Sequence, residues 1–163
     1  ILRQEWNEVM KLFEYLWKKL NKGGEIVIVK GNHDSIIESI ARRGGVDVKD
    51  CFVIGQYCFV HGNKEFEEMR DEGVRYWIMG HVQPAIKLSD GMKVEKYKCF
   101  LVGKYKRKEI IIVPSFLEYS EGSDPRENDL GMAWEFDYDK FDAVVVDSGD
   151  LEARDFGRLG KLN

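Results

Sequence analysis

The sequence predicts an α/β fold. Three observations carry that expectation. Residues Gln4–Asn21 repeat apolar side chains at helical spacing. Glu25–Lys30 then reads EIVIVK, apolar on both faces, which is the pattern of a strand buried inside a sheet. A polar loop and a second helical stretch follow, and helix, strand, loop, helix is α/β order.

Each element has its own reason. In the first helix Trp6, Val9, Met10, Phe13, Leu16, Trp17 and Leu20 form one stripe, expected to pack in the core. Lys18 and Lys19 suit the negative end of the helix dipole, and Gly23–Gly24 stop the helix. Asp34 or Ser35 is expected to cap the second helix, because Ser35 and Glu38 have capping-box spacing. Ile36, Ile37 and Ile40 give that helix an apolar face, and Gly44–Gly45 end it. Val46–Val48 is a short extended piece. Cys51–Ile54 and Tyr57–Val60 flank Gly55–Gln56 as a two-residue hairpin. Lys64–Glu72 reads as a short acidic helix and Arg75–Met79 as another apolar strand. Pro84 is expected to hold Gln83 extended.

Further on, Lys98–Tyr105 and Glu109–Pro114 are predicted strands joined by a basic tip, Lys106-Arg107-Lys108. Ser115–Leu130 is a polar loop of 16 residues, a length that usually marks function or mobility. Met132–Tyr138 and Ala143–Val146 are predicted as two last strands. The terminal string DFGRL, Asp155–Leu159, contains the kinase triplet, but no Gly-rich loop or HRD element precedes it, which argues against a kinase.

A chain of 163 residues fits one domain, taken here as residues 1–163. The net charge of −4 argues against a generic DNA or membrane binder. No apolar run approaches the ~18 residues of a membrane span, and the first residues, ILRQEW, lack the pattern of a signal peptide. Cys51, Cys58 and Cys99 are odd in number and form no CxxC, so reduced thiols in a cytoplasmic protein are expected.

The chemistry lies with the histidines. There are three, and each stands where an apolar run ends beside a glycine: His33 after IVIVKGN, His61 after YCFV and before Gly62, His81 after WIMG. Side chains at the carboxyl ends of neighbouring strands gather along one sheet edge, where ligands bind in α/β folds. Imidazole and amide oxygen suit divalent metals of the Mn, Fe and Zn kind. A lone histidine at a strand end is more often structural. Three of three in one context, with Asn32 beside His33, point to a metal site.

The ordered series GNHD, HG and GHxxP on an α/β chain resembles the calcineurin-like metallophosphoesterases. GHVQPAI, IIIVPSF and the terminal DFGRL are closest to the archaeal and bacterial branch of DNA-ligase-associated phosphoesterases. The resemblance implies an α/β sandwich of mixed sheets flanked by helices, and two metal ions that clamp a phosphate while a metal-bound hydroxide attacks phosphorus. Mn is the expected metal, with Fe, Zn or Ni as alternatives. It implies that Asn32, His61 and His81 ligate the second metal. His33 would contact the phosphate and protonate the leaving oxygen as general acid. Asp34 is implied as the helix cap or a group orienting a neighbour, and Gln83 as a weak ligand. A phosphate ester is the implied substrate, a nucleotide or nucleic acid among the candidates; DNA-repair partners follow from the resemblance alone.

The sequence departs from the family in two places. The family has an early Asp-x-His and a Gly-Asp pair before GNHD, whereas Ile1–Lys30 holds no Asp and no His. The chain therefore reads as lacking the N-terminal strands of the fold. The family's last motif is GHxH, and Gln83 stands at the second histidine. One metal ion or none is then expected to be held firmly. The alternatives are a non-catalytic, weakly metal-binding relative and a split enzyme completed by a partner chain. Lys104, Lys106, Arg107 and Lys108 form a basic tip, which reads as a solvated turn or as a contact for nucleic-acid phosphates.

Overall fold

The computed structural model describes residues 3–89, 91–127, 131–147 and 149–162. The chain is mixed α/β, with two α-helices and a mixed sheet, and divides into two compact units, Ile1–Phe52 and Val53–Asn163.

In the first unit, α1 (Arg3–Lys19) packs on α2 (Ile37–Gly44). Phe13, Ile40, Ala41 and Val46 are buried at the centre, with Trp6, Val9, Met10, Ile26, Ile28 and Val48 packed around them. Burying one Phe ring of this kind is worth roughly 1.5–3 kcal/mol. The expected stripe holds as far as Leu16: Phe13 is buried and Leu16 half-buried, but Trp17 is 38% exposed and Leu20 37% exposed. The reason is length. At 1.5 Å per residue the eight residues of α2 run about 12 Å, against about 25 Å for the 17 residues of α1. Trp17 still gives its ring N–H to the Gly44 carbonyl at 2.8 Å.

The EIVIVK run forms a shorter strand than expected. Its strand, β1 (Val27–Val29), has three half-buried residues and, among the described residues, pairs only with β2 (Asp47–Lys49), in parallel. With one neighbour it lacks the cover that a central strand receives. The expected cap of α2 is also absent. The N-cap position is Ile36 and no side chain bonds to the helix start. Asp34 turns back to Gly31 instead, and Glu38 pairs with Lys30 at 2.6 Å.

The second unit is built on a seven-stranded sheet. Its strands are β3 (Cys51–Ile54, within which the unit boundary falls), β4 (Tyr57–Val60), β5 (Tyr76–Met79), β8 (Phe100–Tyr105), β9 (Lys108–Ile112), β10 (Asp142–Val146) and β11 (Ala153–Arg158). Their order is β11-β10-β8-β9-β5-β4-β3. β5 lies parallel to both β4 and β9, while β8–β9, β8–β10 and β10–β11 are antiparallel. Cys58, Val60, Trp77, Met79, Leu101, Ile110 and Ile112 are all buried. They alternate with less buried residues along their strands, so they line one face of the sheet. A separate antiparallel hairpin joins β6 (Ala85–Ser89) to β7 (Val94–Lys98).

Two expected elements change in this unit. Lys64–Glu72 forms only one 3₁₀ turn, Glu67–Arg70, because Phe66 is extended and the Asp71 carboxylate accepts from Gly73 N–H. Met132–Tyr138 joins no ladder; Trp134 and Phe136 are buried by packing on Trp77, Tyr105 and Phe141 instead. The DFGRL string supplies the edge strand β11, and Leu159 is buried after it. Among the described residues no helix is long and apolar enough to cross a membrane, and Cys51, Cys58 and Cys99 are free thiols.

Candidate functional site

The parallel pairing of β4 and β5 fixes where two of the histidines go. Tyr57 is level with Tyr76, and Val60 with Met79. His61 and Gly80-His81 therefore leave the sheet side by side at the carboxyl edge, and Gly80 N–H continues the ladder to the His61 carbonyl at 3.1 Å. The chain then bends sharply. Val82 N–H donates to the Gly80 carbonyl at 2.8 Å across His81, whose φ is +64°. That is a γ-turn of the rare, strained kind, and strain of this type clusters at functional sites.

The turn delivers the two rings to each other. His81 Nδ1 and His61 Nε2 are 3.0 Å apart, with ring centroids at 4.9 Å and an interplanar angle of 72°. With one nitrogen protonated and the other not, this is a hydrogen bond. The same spacing suits a shared ion. Two nitrogens ~2.1 Å from one metal, at adjacent corners of an octahedron, lie ~3.0 Å apart. The two nitrogens match that separation. Among the described residues no group of three or more His, Cys, Asp or Glu is placed to hold a metal ion.

Gly62 explains the HG motif. Its φ is +117°, and a Cβ there would come within 3.2 Å of Met132 and 3.5 Å of the His81 Cβ. Its carbonyl accepts from Ala133 N–H at 3.0 Å. On the other side of His81, a Cβ on Gly131 would lie 3.5 Å from Nε2. The segment after the long loop therefore walls the histidine pair. Met132 and Gly131 were not singled out in the sequence, where no local signal ties them to His81.

Gln83 is not extended. Its φ is +49°, its Oε1 accepts from the Ser120 hydroxyl at 2.7 Å, and its carbonyl accepts from Ser123 N–H. Ser123 also bridges to Pro84 and accepts from Ala85 N–H at 2.9 Å. Tertiary bonds from the 115–127 loop thus override the local preference that Pro84 sets.

Asn32, His33 and Asp34 belong to the first unit and are exposed. Asn32 Nδ2 lies 3.3 Å from His33 Nε2. The Asp34 carboxylate accepts from Gly31 N–H at 2.8 Å, and Asp34 N–H donates to the Gly31 carbonyl, so Asp34 folds the GNHD loop on itself rather than capping α2. Beside this loop the Glu38 hydrogen bond and charge raise the Lys30 pKa, and Lys30 lowers that of Glu38.

Comparison with protein-family models, curated proteins and solved structures finds no match to this chain.

Proposed function

We propose that this chain carries part of a calcineurin-like metallophosphoesterase site on the α/β sandwich of that family, and that its parent activity is hydrolysis of a phosphate ester. The observation that carries the reading is the His61–His81 pair, 3.0 Å apart at the ends of adjacent parallel strands. His61 and His81 would hold a divalent transition metal, Mn first. The ion, when bound, supplies Lewis-acid stabilisation of charge on the phosphoryl group. The Gly80-His81-Val82 turn holds His81 against His61, and Gly62 keeps the space beside them small. The GNHD motif assigns Asn32 an oxygen for the metal and His33 the proton for the leaving oxygen.

One observation favours a second reading, a non-catalytic relative that keeps the scaffold. Gln83 stands where the family has a histidine, and Ser120 occupies its amide oxygen. Two measurements on the full-length protein separate the readings. Isothermal titration with Mn²⁺ should give about one site per chain, lost in His61→Ala and in His81→Ala. Mn-dependent hydrolysis of bis-(p-nitrophenyl) phosphate should fall at least 100-fold in His33→Ala. Metal binding that survives both histidine variants refutes the metal site. Metal binding without turnover selects the non-catalytic reading.

A further inference from the structure

The second unit holds a cavity of about 810 Å³ lined by Glu65, Arg70, Trp77, Tyr105, Lys106, Arg107, Lys108, Ala133, Trp134 and Glu135. Its volume lies in the range of small-molecule sites. None of these residues belongs to the histidine pair, so the cavity is a separate place on the second unit.

Three features define what the cavity can recognise. Its wall is aromatic: Trp77 and Trp134 meet at 5.2 Å between ring centroids, and Tyr105 lies 6.1 Å from Trp77. Its lining carries four cationic side chains against two carboxylates, in a chain whose net charge is −4. The cations have different jobs. Lys108 is committed to the carbonyls of Asp71 and Val74, and Arg70 pairs with Glu65 at 3.1 Å. Lys106 and Arg107 are exposed at the β8–β9 turn; Lys106 sits 5.1 Å over the Tyr105 ring, and Arg107 has no ion-pair partner among the described residues. The third feature is an acceptor. Arg70 Nε donates to Glu65 Oε1 at 3.2 Å, and that hydrogen bond, foremost, lowers the Glu65 pKa.

An aromatic wall, two exposed cations on the β8–β9 turn and a carboxylate bonded to Arg70 form a complementary set. We propose that this cavity binds a nucleotide: a base against Tyr105 and the edges of the largely buried Trp77 and Trp134, its phosphate on Lys106 and Arg107, and a hydroxyl or amino group donating to Glu65. Stacking with arginine and lysine contacts is the sequence-tolerant mode of nucleotide and single-strand binding. The nucleotide is either free or one residue of a single strand, since both present the same base and phosphate.

The test uses the full chain in EDTA, with quenching of tryptophan fluorescence and titration calorimetry as readouts. The probes are AMP, adenosine, inorganic phosphate and an eight-residue oligothymidylate. Saturable binding of AMP or of the oligonucleotide is expected, weakened at least tenfold in Lys106→Glu/Arg107→Glu. These residues lie on an exposed turn, and an unchanged circular dichroism spectrum and urea midpoint verify the fold of that variant. Binding of AMP identifies the free nucleotide as a ligand; binding of the oligonucleotide alone identifies the strand. The proposal is overturned if neither binds, if the double variant binds as the wild type does, or if adenosine or inorganic phosphate binds as tightly as AMP and the oligonucleotide.

Discussion

Replacing Arg126 by Ala should destabilise the second unit by about 2–4 kcal/mol. Asp124 is a buried carboxylate, its side chain 1% exposed. Arg126 covers it with Nε on Oδ1 at 2.9 Å and Nη2 on Oδ2 at 2.6 Å, and gives Nη1 to the carbonyls of Leu159 and Leu162. Breaking a buried pair from one side costs ~3–5 kcal/mol, because the other charge stays buried alone. Arg126 is itself 24% exposed, so water partly replaces it and the lower figure follows.

The pH dependence gives a sharper check. In the wild type, burial alone would raise the Asp124 carboxyl, but the Arg126 hydrogen bonds and charge outweigh it and lower the pKa. That stabilisation is complete above the ordinary carboxylate pKa of ~3.9 and is lost as pH falls through the lower folded value. Without the Arg126 side chain burial is opposed only by the backbone N–H groups of residue 126 and Lys87, so the folded pKa lies higher than in the wild type. The difference between wild type and variant should therefore shrink as pH falls through the carboxylate range, and should not grow. Urea unfolding followed by Trp77 and Trp134, in a Trp6→Phe/Trp17→Phe background, measures it. A loss below 1 kcal/mol at pH 7, or one that grows toward pH 5, refutes the reasoning.

Two further predictions rest on packing. A Cβ on Gly44 would stand 2.3 Å from the buried Phe13 Cδ2. In Gly44→Ala overpacking of ~1–3 kcal/mol outweighs the ~1 kcal/mol gain in helix propensity. A lower urea midpoint reported by Trp6 and Trp17 is expected, and an unchanged or higher one counts against the α1–α2 contact. Burial foremost, then the charge of Asp124, pushes the Cys99 thiol to about 12 against the opposing charge of Arg126, and Cys58 is fully buried. A thiol reagent at pH 8 should therefore label only the half-buried Cys51 in the native chain. More than one equivalent labelled before unfolding would contradict this burial.

The parts legible in the sequence were those with a local physical cause. The 3.6-residue stripe of Gln4–Asn21 gave α1, and the apolar runs ending in His61 and Gly80 gave β4 and β5. The parts that were not legible depend on tertiary partners. Trp134 and Phe136 have strand propensity, yet they are buried by rings from Trp77, Tyr105 and Phe141 without a ladder. EIVIVK has the composition of a central strand, yet in the described structure β1 pairs only with β2. Ser35 and Glu38 have the spacing of a capping box, but the Lys30 ammonium competes successfully for Glu38.

The same logic explains the backbone at the candidate metal pair. A histidine at φ +64° and, two residues on, a glutamine before proline at φ +49° are each unfavourable by local rules. The glutamine persists because the 115–127 loop over-determines it. Ser123 brackets Pro84 by donating to the Gln83 carbonyl and accepting from Ala85 N–H, and Ser120 holds the Gln83 side chain. Gly122 permits this approach: its φ is +75°, and a Cβ there would sit 2.5 Å from the Gln83 carbonyl oxygen. Arg126 and Asp124 then tie the same loop to the carbonyls of Leu159 and Leu162. The motif GHVQP supplies His81 to the candidate pair, but the conformation of the Gln83 that follows is held by a loop some forty residues later in the chain, through contacts that no local pattern encodes.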